Sequence, residues 1–426
     1  MTDSAAAALP ADQASEADQP AGKLNIGRVL FIALVVGLFT VVWLVSYTEI
    51  NDLIWNNSFV SANRWTIPVG VLFFSLLVGL VGKYMHAPNV MKGNALAPLA
   101  AGDTSGYKSF WGALLTSFFS LFSGASVGPE GPIGFLSVYI SEWLAIKLKL
   151  AKKEFLPASL AGMSSAYNGI VGNPLFATLF ASEMSGGKGG LPMVAANLAA
   201  GAVGYLLFAL LNVPPFASFL YEGELAALDL SIVVWAIGLG LVGGLLAIYT
   251  GIAMNTMERI MSVFGDRIIA RTLTAGVVIG AVCFFIPNLM FSGEDSIHSI
   301  ITDAAQIGVP MLFLMALLKP LLLSLSFKSG YLGGPIFPSL FAATMMALAI
   351  GLLVPQVPLA VLIACSTAGI VTLVLKAPLT SILLVTVMTG ADANLMGLIV
   401  VAVVAAMILG GGFKSLQERR RGVQTE

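Results

Sequence analysis

The chain has 426 residues, of which 58% are hydrophobic and only 10% are charged, and its formal net charge is −1. An ordinary soluble domain carries about 25% charged residues, so this composition excludes a soluble globular protein and indicates a membrane protein. A net charge near zero identifies no partner by itself. We expect a lipid bilayer around most of the chain and no nucleic-acid partner.

Residues 1–23 are rich in Ala, Asp and Ser and contain no apolar run, so they are predicted to form a disordered cytoplasmic tail rather than a signal peptide. Residues 24–413 are predicted to form an all-α, polytopic transmembrane domain. It contains apolar runs that are long enough to cross a hydrocarbon layer of about 30 Å as helices. These runs are 29–48, 66–84, 110–126, 157–182, 191–212, 230–253, 270–290, 308–327, 335–354, 357–375 and 395–410.

Basic residues flank the two ends of this domain. Lys23 and Arg28 precede the first run, and Arg419, Arg420 and Arg421 follow the last. Because cytoplasmic flanks carry an excess of Lys and Arg, we expect both termini in the cytoplasm, with residues 414–426 as a short tail.

Two motifs recur along the chain. "SGASVGPEGP", from Ser123 to Pro132, matches "SGYLGGPIFP", from Ser329 to Pro338, at offsets of 329 − 123 = 206 and 338 − 132 = 206. "NPLFATLFASEM" and "APLTSILLVTVM" match at their first prolines, with an offset of 378 − 174 = 204. We therefore predict two related halves, about 65–212 and 230–410.

Related halves in transporters often have inverted topology, with broken helices at their interface near the membrane midplane. A proline in the first turn suits a helix start, and the free N–H groups behind it attract anions. Glu130 is the lone carboxylate in a stretch that is otherwise uncharged from Lys108 to Glu142. It either caps a helix structurally or competes with an anion for the same N–H groups, and an intramembrane acid favours the second interpretation.

The segment "GPEGP" at 128–132 resembles the G-R-E-G-P motif of the CLC family of chloride channels and proton exchangers. "SGYLGGPIFPSL", "KAPLTSILLV" and "YNGIVGNPLFATLFASEM" resemble further segments of that family, in the same order. "KYMHAPNVMKG" at 83–93 resembles a degraded form of its G-S-G-I-P motif. The resemblance covers about residues 65 to 418.

This resemblance implies a CLC-type fold of two inverted repeats in a bacterial inner membrane, and a homodimer with one anion pathway in each subunit. The motif glutamate, Glu130, would act as the gate. The anion would bind near Gly128, Gly131, Ile336 and Phe337. Chloride is the expected anion, with fluoride and nitrate as alternatives.

Several expected anion ligands of that family are altered here. Met85 stands at the position of its coordinating serine, and Gln417 stands near that of its pore tyrosine. Pro335 has no N–H to offer, and Pro129 replaces the arginine before the gate glutamate. A fluoride-selective branch also differs at the serine position, but it usually lacks the proline that this chain keeps at Pro132.

Two alignments assign different roles to Glu183. Without a gap, Glu183 matches a structural glutamate and Met184 occupies the position of the exchangers' proton relay. With one gap, Glu183 becomes the relay and the protein a proton-coupled antiporter. The ungapped alignment predicts weak or absent proton coupling.

The alternative function from a different class of protein is that of an intramembrane serine hydrolase. "GASVG", from Gly124 to Gly128, fits the G-x-S-x-G pattern with Ser126 as nucleophile. That motif needs a preceding strand and a histidine base, and the chain has only His86 and His298. No nucleotide loop or metal-ligand spacing occurs, so we predict a protein that is not an enzyme and has no metal or cofactor.

Overall fold

The computed structural model describes residues 25–85, 87–88, 104–186, 190–217 and 228–422. Within these ranges the regular structure is helical, apart from an isolated β-bridge between Gly128 and Gly334. The all-α polytopic prediction is confirmed. The predicted tail, residues 1–23, lies outside the described residues, as do His86 and most of the segment 83–93.

The helices fall into two sets along the chain. The first set comprises α1 (Ile26–Trp55), α2 (Ser58–Ala62), α3 (Thr66–Tyr84), α4 (Phe110–Phe122), α5 (Glu130–Lys147), α6 (Phe155–Ala166), α7 (Asn168–Val171), α8 (Pro174–Met184) and α9 (Gly190–Leu210). The second set comprises α10 (Leu230–Ser262), α11 (Ile268–Phe285), α12 (Glu294–Ile307), α13 (Val309–Ser329), α14 (Ile336–Leu353), α15 (Leu359–Leu375), α16 (Pro378–Met388) and α17 (Ala393–Gly422).

The two sets follow the offsets found in the sequence. Helices α5 and α14 each have 18 residues, with 336 − 130 = 206 and 353 − 147 = 206. Helices α8 and α16 each have 11 residues, with 378 − 174 = 204 and 388 − 184 = 204. Helices α1 and α10 start 230 − 26 = 204 residues apart, so the repeated pattern begins at Ile26, ahead of the predicted residue 65.

In the described part of the chain, eight helices are long and apolar enough to cross a membrane. Two of the apolar runs that were predicted to cross the membrane as single helices do not form single long helices. The run 110–126 yields only the 13-residue α4, and the run 157–182 is divided among α6, α7 and α8. The break between α7 and α8 occurs because Gly172 is left-handed, with φ = 65°, and the Asn173 side chain then accepts the Leu175 and Phe176 N–H groups as an N-cap.

Helices α10 and α15 pack closely through small residues. A Cβ on Gly243 would overlap the Ser366 carbonyl oxygen, and one on Gly369 would approach the Gly240 carbonyl oxygen. Lipid tails are as apolar as leucine, so helices in a membrane associate through such close backbone packing. These glycines therefore hold α10 against α15.

Gly243→Ala is expected to lower the free energy of unfolding by about 1–3 kcal/mol, because the methyl group forces the two backbones apart. The measurement is the fraction of detergent-solubilised protein that remains monodisperse after heating. Gly251→Ala on the same helix is the matched control, since its Cβ would meet no atom within 4 Å. Equal heat resistance of Gly243→Ala and Gly251→Ala would contradict this packing.

Candidate anion-binding site

Two left-handed glycines shape the loops that enter the site. Gly124 has φ = 69° and Gly330 has φ = 107°, and they are equivalent in the repeat because 330 − 124 = 206. Each follows the end of a helix, α4 or α13. This backbone conformation favours glycine, and it turns each chain toward the helix that follows, α5 or α14.

The two loops pair with each other at equivalent residues. The Gly128 N–H donates to the Gly334 carbonyl at 2.9 Å, and the Gly334 N–H donates to the Gly128 carbonyl at 2.8 Å. A Cβ on Gly131 would overlap the Gly333 carbonyl. The N-terminus of α5 is thus pressed against the loop that starts α14.

Glu130 is the first residue of α5 and is only 2% exposed. Its Oε1 accepts the Ile336 N–H at 2.6 Å, and the Phe337 N–H also interacts with the carboxylate. Its Oε2 has no hydrogen-bond partner among the described residues. The carboxylate therefore occupies the N-terminus of α14, where backbone N–H groups and the helix dipole favour a negative charge.

Buried hydroxyl groups anchor the two loops. The Tyr167 hydroxyl donates to the Glu130 carbonyl at 2.8 Å, and the Leu332 N–H donates to the Ser120 Oγ at 2.9 Å. The fully buried Tyr331 hydroxyl lies 2.7 Å from the Ser75 Oγ. These bonds fix the site against α3, α4 and the segment after α6.

Glu183 lies near the end of α8 and caps a helix of the other half. Its carboxylate accepts the Leu379 N–H at 3.1 Å, the Thr380 N–H at 2.7 Å and the Thr380 hydroxyl group. All three donors belong to the first turn of α16. This geometry matches the ungapped alignment, and the proton-relay role of Glu183 stays a prediction.

The structure does not bring the other predicted anion ligands, Met85 and Gln417, into hydrogen-bond contact with the Glu130 site. Met85 follows the end of α3 and Gln417 is exposed on α17. Within the described residues, no hydrogen bond joins either one to Glu130 or Ile336. The Gly128 N–H is engaged by Gly334. Anion binding by Met85, Gln417, Gly128 and Gly131 stays a prediction.

A buried cation, Lys319, is not among the residues predicted from the sequence. Its side chain is 0% exposed, and its Nζ donates to the Leu289 carbonyl at 3.1 Å and the Phe291 carbonyl at 2.7 Å. It also lies 4.7 Å from the Phe341 ring centroid. Lys319 is the only charged residue in the apolar run 308–327, and this pattern could have identified it as a functional candidate.

The fold and the site define a polytopic membrane protein of the transporter class, in which two repeats meet at broken helices. The family model described as "Voltage gated chloride channel" matches residues 98–410 of the chain. The chain belongs to this family, as its motifs predicted.

Curated relatives and solved structures agree with this assignment. The chain is 25% identical over 321 residues to the "Putative ion-transport protein YfeO" of Escherichia coli O1:K1 / APEC, which covers 74% of each chain. The protein of the same name from Shigella boydii serotype 4 is 26% identical over 311 residues, covering 70% of this chain and 72% of that one.

Two solved structures share the fold across nearly the whole chain. A CLC-type fluoride/proton antiporter matches with a TM-score of 0.74 and 18% identity, covering 92% of this chain and 97% of its own. A slow cyanobacterial Cl⁻/H⁺ antiporter matches with a TM-score of 0.71 and 20% identity, covering 94% and 99%.

Gly334→Ala is expected to displace the Glu130 carboxylate, because the new methyl group would overlap its Cδ. Losing a charge-assisted hydrogen bond costs about 1.5–3 kcal/mol, which corresponds to at least about a tenfold rise in anion flux at neutral pH. The anion flux is measured as chloride efflux from liposomes that contain the protein and are loaded with chloride. In a Glu130→Ala background the same substitution should add nothing, and an equal increase there would contradict the interpretation.

Proposed function

We propose that the protein moves a small inorganic anion, chloride first, through a pathway in each subunit that is gated by Glu130. The observation that carries the proposal is the Glu130 carboxylate on the Ile336 N–H, at the start of α14 and without a lysine or arginine ion pair among the described residues. A site that holds a carboxylate with backbone amides suits an inorganic anion for the same reason.

The gate follows from competition for these amides. An ionised Glu130 occupies the donors that a permeant anion needs, and it repels that anion. A protonated Glu130 has no charge, so it gives up this position more easily. Proton binding then opens the pathway without any large rearrangement of α5 or α14.

Proton coupling is proposed to be weak or absent. The Glu183 carboxylate is engaged with the first turn of α16, and Met184 offers no titratable group beside it. The chain also has no tyrosine after Tyr331 that could close the inner side. The main alternative is a proton-coupled antiporter, since both solved structures described above are antiporters.

We propose a homodimer that forms through the outer face of α8, α9, α16 and α17. Leu175 and Leu379, which are 53% and 56% exposed, are equivalent in the repeat because 379 − 175 = 204. They border an apolar cavity of about 370 Å³ together with Leu198 and Met396. This apolar face presents equivalent leucines from the two halves. A second subunit can pack the same face against it, as in a two-fold symmetric dimer.

We propose a location in a bacterial inner membrane with both termini in the cytoplasm. The support is the basic flanks, with Arg28 in the first turn of α1 and the arginines 419–421 at the end of α17. With this orientation the C-terminal end of α1 faces the outside.

Members of this family are transporters rather than enzymes. The hydrolase alternative has no support at Ser126. Its hydroxyl group is buried and has no hydrogen-bond partner among the described residues, and His298 is exposed on α12. No strand precedes Ser126 in the described part of the chain.

Glu130→Gln is expected to make anion flux high and nearly independent of pH, because the amide mimics the protonated gate. Wild-type flux should rise as the pH falls. Chloride efflux from proteoliposomes across a pH series measures the flux of the wild type and of Glu130→Gln. Ser126→Ala is the control and should retain the wild-type profile. An unchanged pH profile in Glu130→Gln would refute the gating role.

A chloride gradient across proteoliposomes is expected to drive little uphill proton movement, even when the membrane potential opposes leak. An internal pH probe measures this movement. Glu183→Gln should lower thermal stability, because the first turn of α16 loses a charged acceptor, while its proton flux stays at the wild-type level. Strong proton pumping that disappears in Glu183→Gln would establish the antiporter alternative.

A further inference from the structure

A water-accessible cavity of about 380 Å³ opens at the C-terminal end of α1. Its lining includes the carboxylates of Glu49, Asp52 and Asp295. Burial and the nearby Asp52 raise the pKa of Asp295 above its usual value. An acidic mouth repels anions and concentrates protons, so this cavity suits proton access better than anion entry.

A chain of aromatic contacts leads from this cavity toward the gate. Tyr47 and Phe216 line the cavity, and their ring centroids lie 6.0 Å apart. On its other side the Phe216 ring lies 5.2 Å from the ring of Phe337, whose N–H interacts with the Glu130 carboxylate. A residue of the cavity lining therefore packs against a residue that contacts the Glu130 carboxylate.

Glu294 stands at the start of α12, next to Asp295. Its Oε2 is buried and has no hydrogen-bond partner among the described residues. It interacts electrostatically with Asp295 on its own helix, Lys319 on α13, Glu130 on α5 and Tyr47 on α1.

Lys319 makes a carboxylate at Glu294 tolerable in a buried position. A Cβ on Gly293 would lie 3.0 Å from the Lys319 Nζ, so the ammonium group is adjacent to the start of α12. A neighbouring positive charge offsets part of the cost of burying the ionised form. Glu294 can therefore exist in both protonation states between the cavity and the gate.

We propose that Glu294 relays protons between the acidic cavity and Glu130. A proton leaves hydronium or Asp295 in the cavity and forms an O–H bond on Glu294. That bond then breaks, and the proton passes directly or through one water to the partnerless Oε2 of Glu130. Glu294 returns to a carboxylate beside Lys319, and Glu130 becomes neutral. This inference rests on the proposed gating role of Glu130.

The test is a stopped-flow acid jump on right-side-out and inside-out membrane vesicles, with anion flux as the readout. In Glu294→Gln, activation by acid on the cavity side should slow by about tenfold, because a positioned acid–base group is lost. Acid from the opposite side should act as in wild type, and flux at saturating acid should be unchanged. Asp303→Asn, exposed on the same helix, is the matched control.

The outcomes separate this inference from the proposed function. Wild-type activation rates in Glu294→Gln, with pH dependence abolished in Glu130→Gln, would refute the relay and leave the gate. Persistent pH dependence in Glu130→Gln would refute the gate itself.

A second variant does not alter the buried residues. Asp52→Asn with Asp295→Asn changes only carboxylates of the cavity lining and leaves Glu294, Lys319 and Glu130 unchanged. The cavity-side acid response should shift to lower pH because the cavity loses its negative potential. An unshifted response would contradict a route through this cavity.

Discussion

A buried carboxylate, Glu130, with no ion pair to a lysine or arginine in the described part of the chain, is the constraint on which the rest of this structure depends. Burying an ionised carboxylate is costly unless hydrogen bonds replace its water. At Glu130 the replacement comes from the start of α14, through the Ile336 N–H at 2.6 Å. The helix starts can meet only if their loops approach closely, and the glycines at 128, 131, 333 and 334 permit that approach. The anchoring hydroxyl groups of Tyr167, Ser120 and Tyr331 then hold the loops in register.

Corresponding helices of the two halves have matching lengths, but the side chains at corresponding positions differ in chemistry. Glu130 bonds to Ile336, its own counterpart at the offset of 206, so one position supplies an acid in the first half and a backbone donor in the second. Glu183 shows a related asymmetry, because its counterpart at the offset of 204 is the uncharged Val387, while its own carboxylate accepts donors from Leu379 and Thr380 at the start of α16. In both pairs a first-half acid stabilises a second-half helix start, where the dipole favours negative charge. Each carboxylate therefore joins the halves as well as serving its own site.

The charges near the site are distributed with the same asymmetry. The buried cation Lys319 belongs to the second half and donates to carbonyls that precede α12, and no ion pair joins it to Glu130 among the described residues. The anion site that we propose would thus rely on partial charges of backbone N–H groups, which attract an anion without binding it as tightly as a full positive charge does. Weak binding of that kind is what passage through a pathway requires, because an ion must leave as well as enter.

Hydropathy, the repeated motifs and the Gly-Pro breaks were sufficient to predict a helical membrane protein with two related halves, and the lone acid in an apolar stretch identified Glu130. These features are local, or repeat at one offset, so they can be read from the chain directly. The sequence did not show that the run 157–182 is broken at Gly172, because that break depends on one left-handed glycine and one side-chain cap. Only the tertiary structure revealed the partners of Glu130, Glu183, Glu294 and Lys319. Most of these contacts join segments far apart in the chain, and such pairings are decided by how whole helices pack rather than by any local pattern.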